Sequence, residues 1–237
     1  MRAEADYCSI DHSKPNDSRV KFILMGAPGA GKGTLAANLR TSKREHISSG
    51  ELFRQEINGG TPLGVKIQDT IKRGELVRDD LTISLMRKWF WGRRPSQGFI
   101  LDGFPRTLMQ ARCFDEWMDA RNEVLTGCLL LELSEQATID RLSRRRICPV
   151  DGSVFHLEYK PPRTDGKCDA CGGDLVQRED DHEDVVRRRY LLYQQWAHPL
   201  AEHYRNQGLL FEFSADVAPK ALSEKVLHTF GLTPVPE

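Results

Sequence analysis

Two short stretches of this sequence carry residue types that could do chemistry. The first, GAPGAGKGT at residues 26–34, fits the pattern G-x-x-x-x-G-K through Gly26, Gly31 and Lys32. Glycines let successive backbone N–H groups point into one concavity, and the lysine adds a full positive charge. Between a strand and a helix, such a loop typically holds the phosphates of a nucleotide; the alternative is a glycine-rich turn without a ligand.

The second stretch is a pair of cysteine knuckles, CPVDG starting at Cys148 and CDACGG starting at Cys168. The second knuckle has the C-x-x-C spacing of metal ligands, but in the first Asp151 stands where the second cysteine would be. The residues alone leave open a metal site with an unusual ligand, a decayed site and no site. Because Cys148, Cys168 and Cys171 fall within 24 residues, a metal cluster is favoured over a disulfide framework.

The overall composition limits the classes of partner. Lys+Arg and Asp+Glu balance at 34 each, so no global field attracts nucleic acid or an anionic membrane, and any anion site must be built locally. No apolar run approaches the roughly 18 residues of a membrane helix. Residues 1–18 are polar, lack the apolar centre of a signal peptide and are predicted to form a disordered N-terminal extension. We therefore expect a cytoplasmic protein without nucleic-acid or membrane partners.

The elements that would position these motifs alternate along the chain. Short apolar runs at 20–25, 99–101, 127–133 and 209–213 predict buried strands, and helical patterns at 32–43, 81–91 and 137–146 lie between them. This alternation predicts an α/β fold with a parallel β-sheet flanked by helices.

Two segments break the alternation and are predicted to be insertions. Residues 48–77 are mostly helical, whereas residues 147–181 are rich in Pro, Gly, Asp and Cys and have no helical period. The remaining segments, 19–47, 78–146 and 182–237, are then predicted to form the nucleotide-binding core.

Several motifs resemble those of the nucleoside monophosphate kinases, and of the long-lid adenylate kinases in particular. After GAPGAGKGT come ISSGELFR (47–54), GELVRDD (74–80), GFILDGFPRT (98–107) and QREDDHEDVVRRRY (177–190), so the resemblance covers about residues 19–232. It implies a P-loop NTPase-like sheet, with segment 48–77 as the helical NMP-binding insertion and segment 147–181 as a small zinc-knuckle lid. The implied activity is reversible transfer of the γ-phosphoryl group of Mg²⁺-bound ATP to AMP, giving two ADP, in a monomer.

The resemblance also implies roles for individual residues. The implied ATP-binding residues are Gly29, Ala30, Gly31, Lys32, Gly33, Thr34, Arg141, Arg145 and Phe155. The implied AMP-binding residues are Ser49, Arg54, Val77, Gly103, Arg106, Gln110, Arg178 and Arg189, and Asp102 would hold Mg²⁺ through water. The implied catalytic residues are Lys32, Arg106, Arg145, Arg178 and Arg189. Arginine suits this chemistry because its planar fork bridges phosphate oxygens and keeps its charge.

In zinc-bearing members of the family the lid knuckles hold a structural Zn²⁺, and here the ligand positions are Cys148, Asp151, Cys168 and Cys171. Aspartate usually replaces cysteine at the last of these positions, so Asp151 at the second is a departure. A closed Cys₃Asp site is chemically sound. A fourth ligand from His156 or water, and a metal-free lid, are the alternatives. Asp180 and Asp181 are predicted to act at the lid hinge or to orient arginines.

Two other functions compete with this one. A related kinase with a different base choice, a GTP:AMP or UMP/CMP phosphotransferase, would share the motifs, although the long lid argues against the UMP/CMP type. A zinc-knuckle nucleic-acid-binding module on a P-loop domain is also compatible with the cysteines. The neutral charge and the lack of an aromatic-basic platform in 148–171 argue against that module.

Overall fold

Parallel strands at the centre of the molecule position the other elements. The computed structural model describes residues 19–41, 43–94 and 97–233. The elements in chain order are β1 (Lys21–Gly26), α1 (Lys32–Leu39), β2 (Arg44–Ser48), α2 (Ser49–Asn58), α3 (Pro62–Lys72), α4 (Asp79–Gly92), β3 (Gly98–Asp102), α5 (Leu108–Ala120), β4 (Gly127–Glu132), α6 (Glu135–Ser143), β5 (Arg145–Ile147), β6 (Val154–His156), a short 3-10 turn (Glu179–Asp181), α7 (Glu183–Asn206), β7 (Leu210–Ser214) and α8 (Pro219–Thr229).

Five of these strands form one parallel sheet in the order β2-β3-β1-β4-β7, and β5 pairs with β6 in a separate antiparallel hairpin. Phe22 and Leu24 of β1 pack against α1 and α8 on one face, whereas Ile23 and Met25 pack against α4, α5 and α7 on the other. A strand covered on both faces is apolar throughout, which explains the continuous hydrophobic run in β1. The predicted α/β class with a helix-flanked parallel sheet is confirmed.

The strand order places several connections at one edge of the sheet. β1 lies between β3 and β4, so the chain segments that leave the carboxyl ends of these strands diverge around a crevice. The glycine-rich loop follows β1, Asp102 ends β3, and Ser48 ends β2. The motifs singled out in the sequence therefore meet at the carboxyl edge.

Three sequence-based predictions about local structure were incomplete or wrong. The four predicted strands correspond to β1, β3, β4 and β7, but β2 was not predicted because its sequence, REHIS, is mostly polar. The helix predicted over 137–146 ends at Ser143, and Arg145 lies on β5 instead of on that helix. The chain leaves the helix there because Arg145 and Ile147 pair with His156 and Val154 of β6. Helix α1 likewise ends at Leu39 rather than at residue 43.

The segment 48–77 is helical, as predicted, and its helix starts are locally encoded. The Ser48 hydroxyl accepts from the backbone N–H of Glu51 at the start of α2. The Thr61 hydroxyl accepts from Gly64 N–H, and Pro62 occupies the first position of α3. The predicted extension 1–18 lies outside the described residues. Among the residues that are described, no helix combines the length and the apolar character needed to cross a bilayer.

Candidate active site and lid metal centre

The loop between β1 and α1 has the geometry of a phosphate cradle. Gly26, Gly29 and Gly31 have φ values of 144°, 76° and 84°, which side-chain-bearing residues rarely adopt. A Cβ on Gly26 would lie 2.4 Å from the carbonyl oxygen of Leu131, so the close approach to β4 also requires glycine. The loop opens directly into α1, whose first backbone N–H groups are available to an anion.

Lys32 lies over this loop. Its Nζ donates to the carbonyl oxygens of Gly26 and Ala27 at 2.9 and 2.8 Å. Burial lowers the pKa of Lys32 to about 8, and the nearby Asp102 only partly opposes that shift. A phosphate oxygen near Nζ would restore the charged form.

Four further cations converge on the same edge from different elements. Arg106 follows β3, Arg145 begins β5, Arg178 precedes the 3-10 turn and Arg189 lies on α7. The pKa values of Arg106 and Arg178 are lowered to about 10 each, with burial as the largest cause and the charges of neighbouring arginines as the next. Arg189 has a lowered pKa for the same reasons. Positive charge is therefore concentrated and partly desolvated here, which suits a polyanionic ligand.

Acidic residues fix the orientation of two of these arginines. The fully buried Asp181 accepts a bidentate pair of hydrogen bonds from Arg145, with Nε–Oδ2 at 2.7 Å. Asp180 accepts from Arg189 Nη1 at 2.9 Å through its carboxylate and at 2.8 Å through its carbonyl. The carboxylates thus hold the guanidinium planes in place, which is the arginine-orienting role predicted for them.

A second group of predicted residues surrounds Gly103. The hydroxyl of Ser49 and Nε of Arg106 both donate to its carbonyl oxygen, at 2.7 and 2.9 Å. The backbone N–H of Arg106 donates to Oε1 of the buried Gln110 at 2.8 Å. Gly103 has φ 77°, and a Cβ there would lie 2.8 Å from the Ser49 hydroxyl. This tight packing requires glycine and links α2, β3 and α5.

The remaining predicted residues on this side come from the helical insertion and its exit. Arg54 lies on α2 and contributes to the lowered pKa values of Arg106 and Arg178. Val77 is buried between the insertion and α4, in contact with the cluster that contains Phe53 and Ile67. Segment 48–77 therefore places the charge of Arg54 near Arg106 and Arg178, and the burial of Val77 fixes the backbone at its end.

The lid brings the predicted metal ligands together. The ligand atoms of Cys148, Asp151, Cys168 and Cys171 all lie within 4.8 Å of one another. The Sγ atoms of Cys148 and Cys171 are 3.4 Å apart, and the Cys168 thiol donates to Asp151 Oδ2 at 3.2 Å. A tetrahedral zinc with Zn–S bonds of about 2.3 Å separates its sulfur ligands by roughly 3.8 Å, so this donor set fits the ion.

Both knuckles share one backbone pattern. In the first, Cys148 N–H donates to Ser153 O and Gly152 N–H donates to Cys148 O, at 2.9 and 3.0 Å. The second knuckle repeats these bonds between Cys168, Gly172 and Gly173. Gly152 and Gly172 have φ 76° and 72°. The knuckle around Asp151 therefore keeps the geometry of a metal-binding turn although one cysteine is replaced.

Comparison with known proteins identifies the family. The family model for adenylate kinase matches residues 24–209. The chain is 42% identical over 210 residues to an adenylate kinase of Thermosipho melanesiensis, covering 88% of this chain and 98% of the relative. It is 43% identical over 213 residues to one of Moorella thermoacetica (90% and 98%), and 37% identical over 213 residues to one of Clostridium perfringens (90% and 98%).

The chain belongs to the adenylate kinase family. Adenylate kinases are nucleoside monophosphate kinases, so the activity is a phosphoryl transfer, and the resemblance stated from the motifs is confirmed. The fold is accordingly of the P-loop NTPase type. Neither a kinase of different base choice nor a nucleic-acid-binding module is favoured.

The structure gives contacts for two further residues of the predicted lid. Phe155, a predicted ATP-binding residue, is buried in a small core with Cys148 and Cys168. The Nδ1 atom of His156 accepts from the backbone N–H groups of Glu158 and Tyr159, and this ring is not among the clustered metal ligands. The structure brings Asp151, rather than His156, to the three thiols.

Among the predicted ATP-binding residues, Arg141 also has a defined contact. Its Nη2 donates to the carbonyl oxygen of Ala215 at 2.9 Å, which joins α6 to the connection after β7. Gly33 and Thr34 are exposed at the start of α1. A Cβ on Gly33 would lie 3.9 Å from Asp102 Oδ2. Asp102 therefore faces the loop that the motif predicts will bind phosphate.

Asp79 contacts Gln110, one of the predicted AMP-binding residues, and the sequence analysis did not single it out. Its two carboxylate oxygens accept from the Gln110 amide at 2.7 Å and from the Thr107 hydroxyl at 2.9 Å. The only local signal is an aspartate at the first position of a helix, which is usually explained by the helix dipole. Its contact with α5 depends on tertiary structure.

The ion pair of Asp180 predicts a pH-dependent contribution to stability. Burial alone would raise the pKa of Asp180, but Arg189 and Arg145 lower it overall. The carboxylate therefore stabilises the fold above its unfolded pKa of about 3.9 and loses this contribution as the pH falls through the lower folded pKa. At about pH 6 we expect Asp180→Asn to reduce the free energy of unfolding by roughly 2 kcal/mol.

Urea unfolding of both proteins between about pH 6 and pH 3 tests this expectation. The difference between wild type and Asp180→Asn should shrink below about pH 5, because the carboxylate takes up a proton in the unfolded state before it does so in the folded state. The exposed Asp165, changed to Asn, is the matched control and should show little difference throughout. A difference for Asp180→Asn that stays constant with pH would contradict the ion-pair account.

Proposed function

We propose that this chain transfers the γ-phosphoryl group of ATP reversibly to AMP, giving two ADP, through the residues that converge at the carboxyl edge of the sheet. The observation that carries this proposal is the set of partly desolvated cations around the glycine-rich loop. Phosphoryl transfer needs little covalent chemistry from the protein, so placed positive charge and alignment are what it must supply.

On the donor side, the loop from Gly29 to Thr34 and the Lys32 ammonium would hold the ATP phosphates. Arg141 and Arg145 would cover the nucleotide from the α6 side. Phe155 supports the lid core, so any ATP contact at this position comes from its backbone. When bound with ATP, Mg²⁺ neutralises charge on the phosphate oxygens, and Asp102 is the residue that would hold it through water.

On the acceptor side, Arg54 and Arg106 would bind the AMP phosphate. Ser49, Gly103 and Gln110, with the backbone at Val77, would form the walls around the rest of the nucleotide. An oxygen of the AMP α-phosphate attacks the γ-phosphorus of ATP in line with the leaving ADP oxygen. The bond between the γ-phosphorus and the ADP oxygen breaks as the bond to the AMP oxygen forms. The phosphoryl group therefore passes from one nucleotide to the other.

Arg178 and Arg189 would stabilise the charge on the transferred group. Arg178 directly precedes the 3-10 turn that leads into α7, Arg189 lies on α7, and Asp180 accepts a hydrogen bond from Arg189. Water competes with AMP as nucleophile, so segments 48–77 and 147–181 must close on their nucleotides before transfer. We propose them as the AMP clamp and the ATP lid.

ADP formation tests this function directly. Purified protein with Mg²⁺ and ATP should form ADP with AMP and far less with UMP, CMP or GMP in a coupled assay. Lys32→Met should lower kcat about 100-fold or more, because it removes a charge that faces the transferred phosphates. Lys66→Met, at an exposed position on α3, is the matched control. Full activity in Lys32→Met, or none in the wild type, would contradict the proposal.

We further propose that the lid holds a structural Zn²⁺ through Cys148, Asp151, Cys168 and Cys171. Three thiolates and one carboxylate form a closed tetrahedral set, which leaves no position for substrate. The backbone N–H of Ser153 and the thiol of Cys168 hydrogen-bond to the Asp151 carboxylate and lower its pKa, so it is ionised and able to act as a ligand.

Removal of the Asp151 carboxylate should therefore affect stability more than turnover. We expect Asp151→Ala to lose most of about one zinc per chain and to melt roughly 5–10 °C lower, as a loss of about 2–3 kcal/mol produces in a protein of this size. Elemental analysis, thermal unfolding and turnover at low temperature measure the three quantities, with Asp165→Ala as control. Turnover lost with unchanged melting temperature would show instead that the carboxylate acts in catalysis.

Cytoplasmic location and a monomeric state remain predictions from composition and from the family resemblance. Gel filtration with light scattering would measure the oligomeric state. Neither prediction enters the proposed roles of the site residues, because each of these residues belongs to one chain.

A further inference from the structure

The buried Gln110 amide is held at both ends. Its Oε1 accepts from the backbone N–H of Arg106 at 2.8 Å, and its Nε2 donates to Asp79 Oδ1 at 2.7 Å. Gln110 is 2% exposed, so water does not compete for these bonds. The amide still has one N–H and one oxygen lone pair left for a ligand.

Asp79 is itself fixed. It begins α4, and its second carboxylate oxygen accepts from the Thr107 hydroxyl at 2.9 Å. Thr107 caps α5, and its Oγ1 accepts from the backbone N–H of Gln110 at 3.2 Å. The three side chains form a closed hydrogen-bonded group that ties α4 to the first turn of α5.

These partners allow only one orientation of the Gln110 amide. A carboxylate accepts hydrogen bonds and cannot donate them, and a backbone N–H only donates. Turning the amide by 180° would place its oxygen against Asp79 and its NH₂ group against the Arg106 N–H. Both bonds would become repulsive contacts in a buried site, where unsatisfied polar groups are costly.

We propose that Asp79 is a positioning residue that determines which base the acceptor pocket takes, by fixing the orientation of Gln110. This inference rests on the proposed function, in which Gln110 contacts the acceptor nucleotide. Adenine presents an amino donor beside a ring-nitrogen acceptor, and the fixed amide offers the matching lone pair and N–H. Guanine presents a carbonyl oxygen beside a ring N–H, which is the reverse pattern and would require the turned amide.

The same logic separates the pyrimidines. Cytosine shows an amino donor beside a ring-nitrogen acceptor, like adenine, whereas uracil shows a carbonyl beside a ring N–H, like guanine. Within each pair, AMP with GMP and CMP with UMP, the bases have similar size. The ratio of kcat/KM within a pair therefore reports the hydrogen-bond pattern rather than the fit of the ring.

The test compares wild type, Asp79→Asn and Asp79→Ala with all four nucleoside monophosphates in an ADP-forming assay. Asparagine at position 79 has both a donor and an acceptor and alanine has neither, so in both variants the backbone N–H of Arg106 is the one contact of this pair that still favours the wild-type orientation of Gln110. We expect the GMP-to-AMP and UMP-to-CMP ratios of kcat/KM to rise about 10-fold or more in both variants. The KM for ATP, measured at saturating AMP, should stay the same.

The neighbouring Asp80 provides a matched control. Its exposed carboxylate accepts from Arg78 at 2.9 and 3.2 Å and lies on the solvent side of the same helical turn. Asp80→Asn should leave both ratios unchanged. Because Asp79→Asn keeps the shape of the side chain and Asp79→Ala removes it, thermal unfolding of both shows that the ratios come from folded protein.

The outcomes separate this inference from the proposed function. If the wild type forms no ADP with AMP, the proposed function fails. If the wild type prefers AMP but both Asp79 variants keep the wild-type ratios, Asp79 has only a structural role and the inference alone fails. An equal loss of kcat/KM for all four acceptors also overturns it, because a merely loosened pocket does not distinguish the two patterns.

Discussion

The structure depends on a concentration of positive charge that is removed from bulk water before any substrate arrives. Lys32, Arg106, Arg178 and Arg189 all have lowered pKa values, with burial as the largest cause. Charged groups in such a place are costly unless they are paired. Asp180 and Asp181 both pair with Arg189, and the phosphates of two nucleotides would supply the remaining negative charge.

The fold explains how so many cations reach one place. Parallel strands end at a common edge, and the connections that leave β1, β3 and the lid return to that edge. The lid contributes through β5, whose first residue is Arg145 and which leads into Cys148. A metal at the knuckles would therefore brace the hairpin that presents Arg145, and with four protein ligands it would take no part in the transfer. Within the segment from Arg145 to Cys148, Cys148 would then contribute to stability and Arg145 to the phosphoryl transfer.

The sequence predicted features whose causes are local and missed those whose causes are distant. The phosphate loop and β1 were predictable because glycines with positive φ and a buried apolar run are properties of neighbouring residues. Strand β2 was missed because its pairing with β3 overrides a polar sequence. The end of α6 was misplaced because pairing of β5 with β6 takes Arg145 out of the helix.

The candidate site shows the same division. Motif positions gave the arginines and the four lid ligands, which the structure brings together. Asp79 was missed because its partner Gln110 is 31 residues away, and no local pattern links the two. Phe155 stays a predicted ATP-binding residue, and the packing of its ring with Cys148 and Cys168 could not be predicted from local sequence.

Proton uptake on ATP binding tests the central claim most directly. Because burial lowers the pKa of Lys32 to about 8, about half of the free protein should carry a neutral lysine at about pH 8. Titration calorimetry without Mg²⁺, in two buffers of different ionisation enthalpy, should then show uptake of about half a proton as the phosphates restore the charge. Lys32→Arg, which stays charged, should bind ATP without this uptake. Heats that do not depend on the buffer in the wild type would contradict a desolvated lysine at the centre of the site.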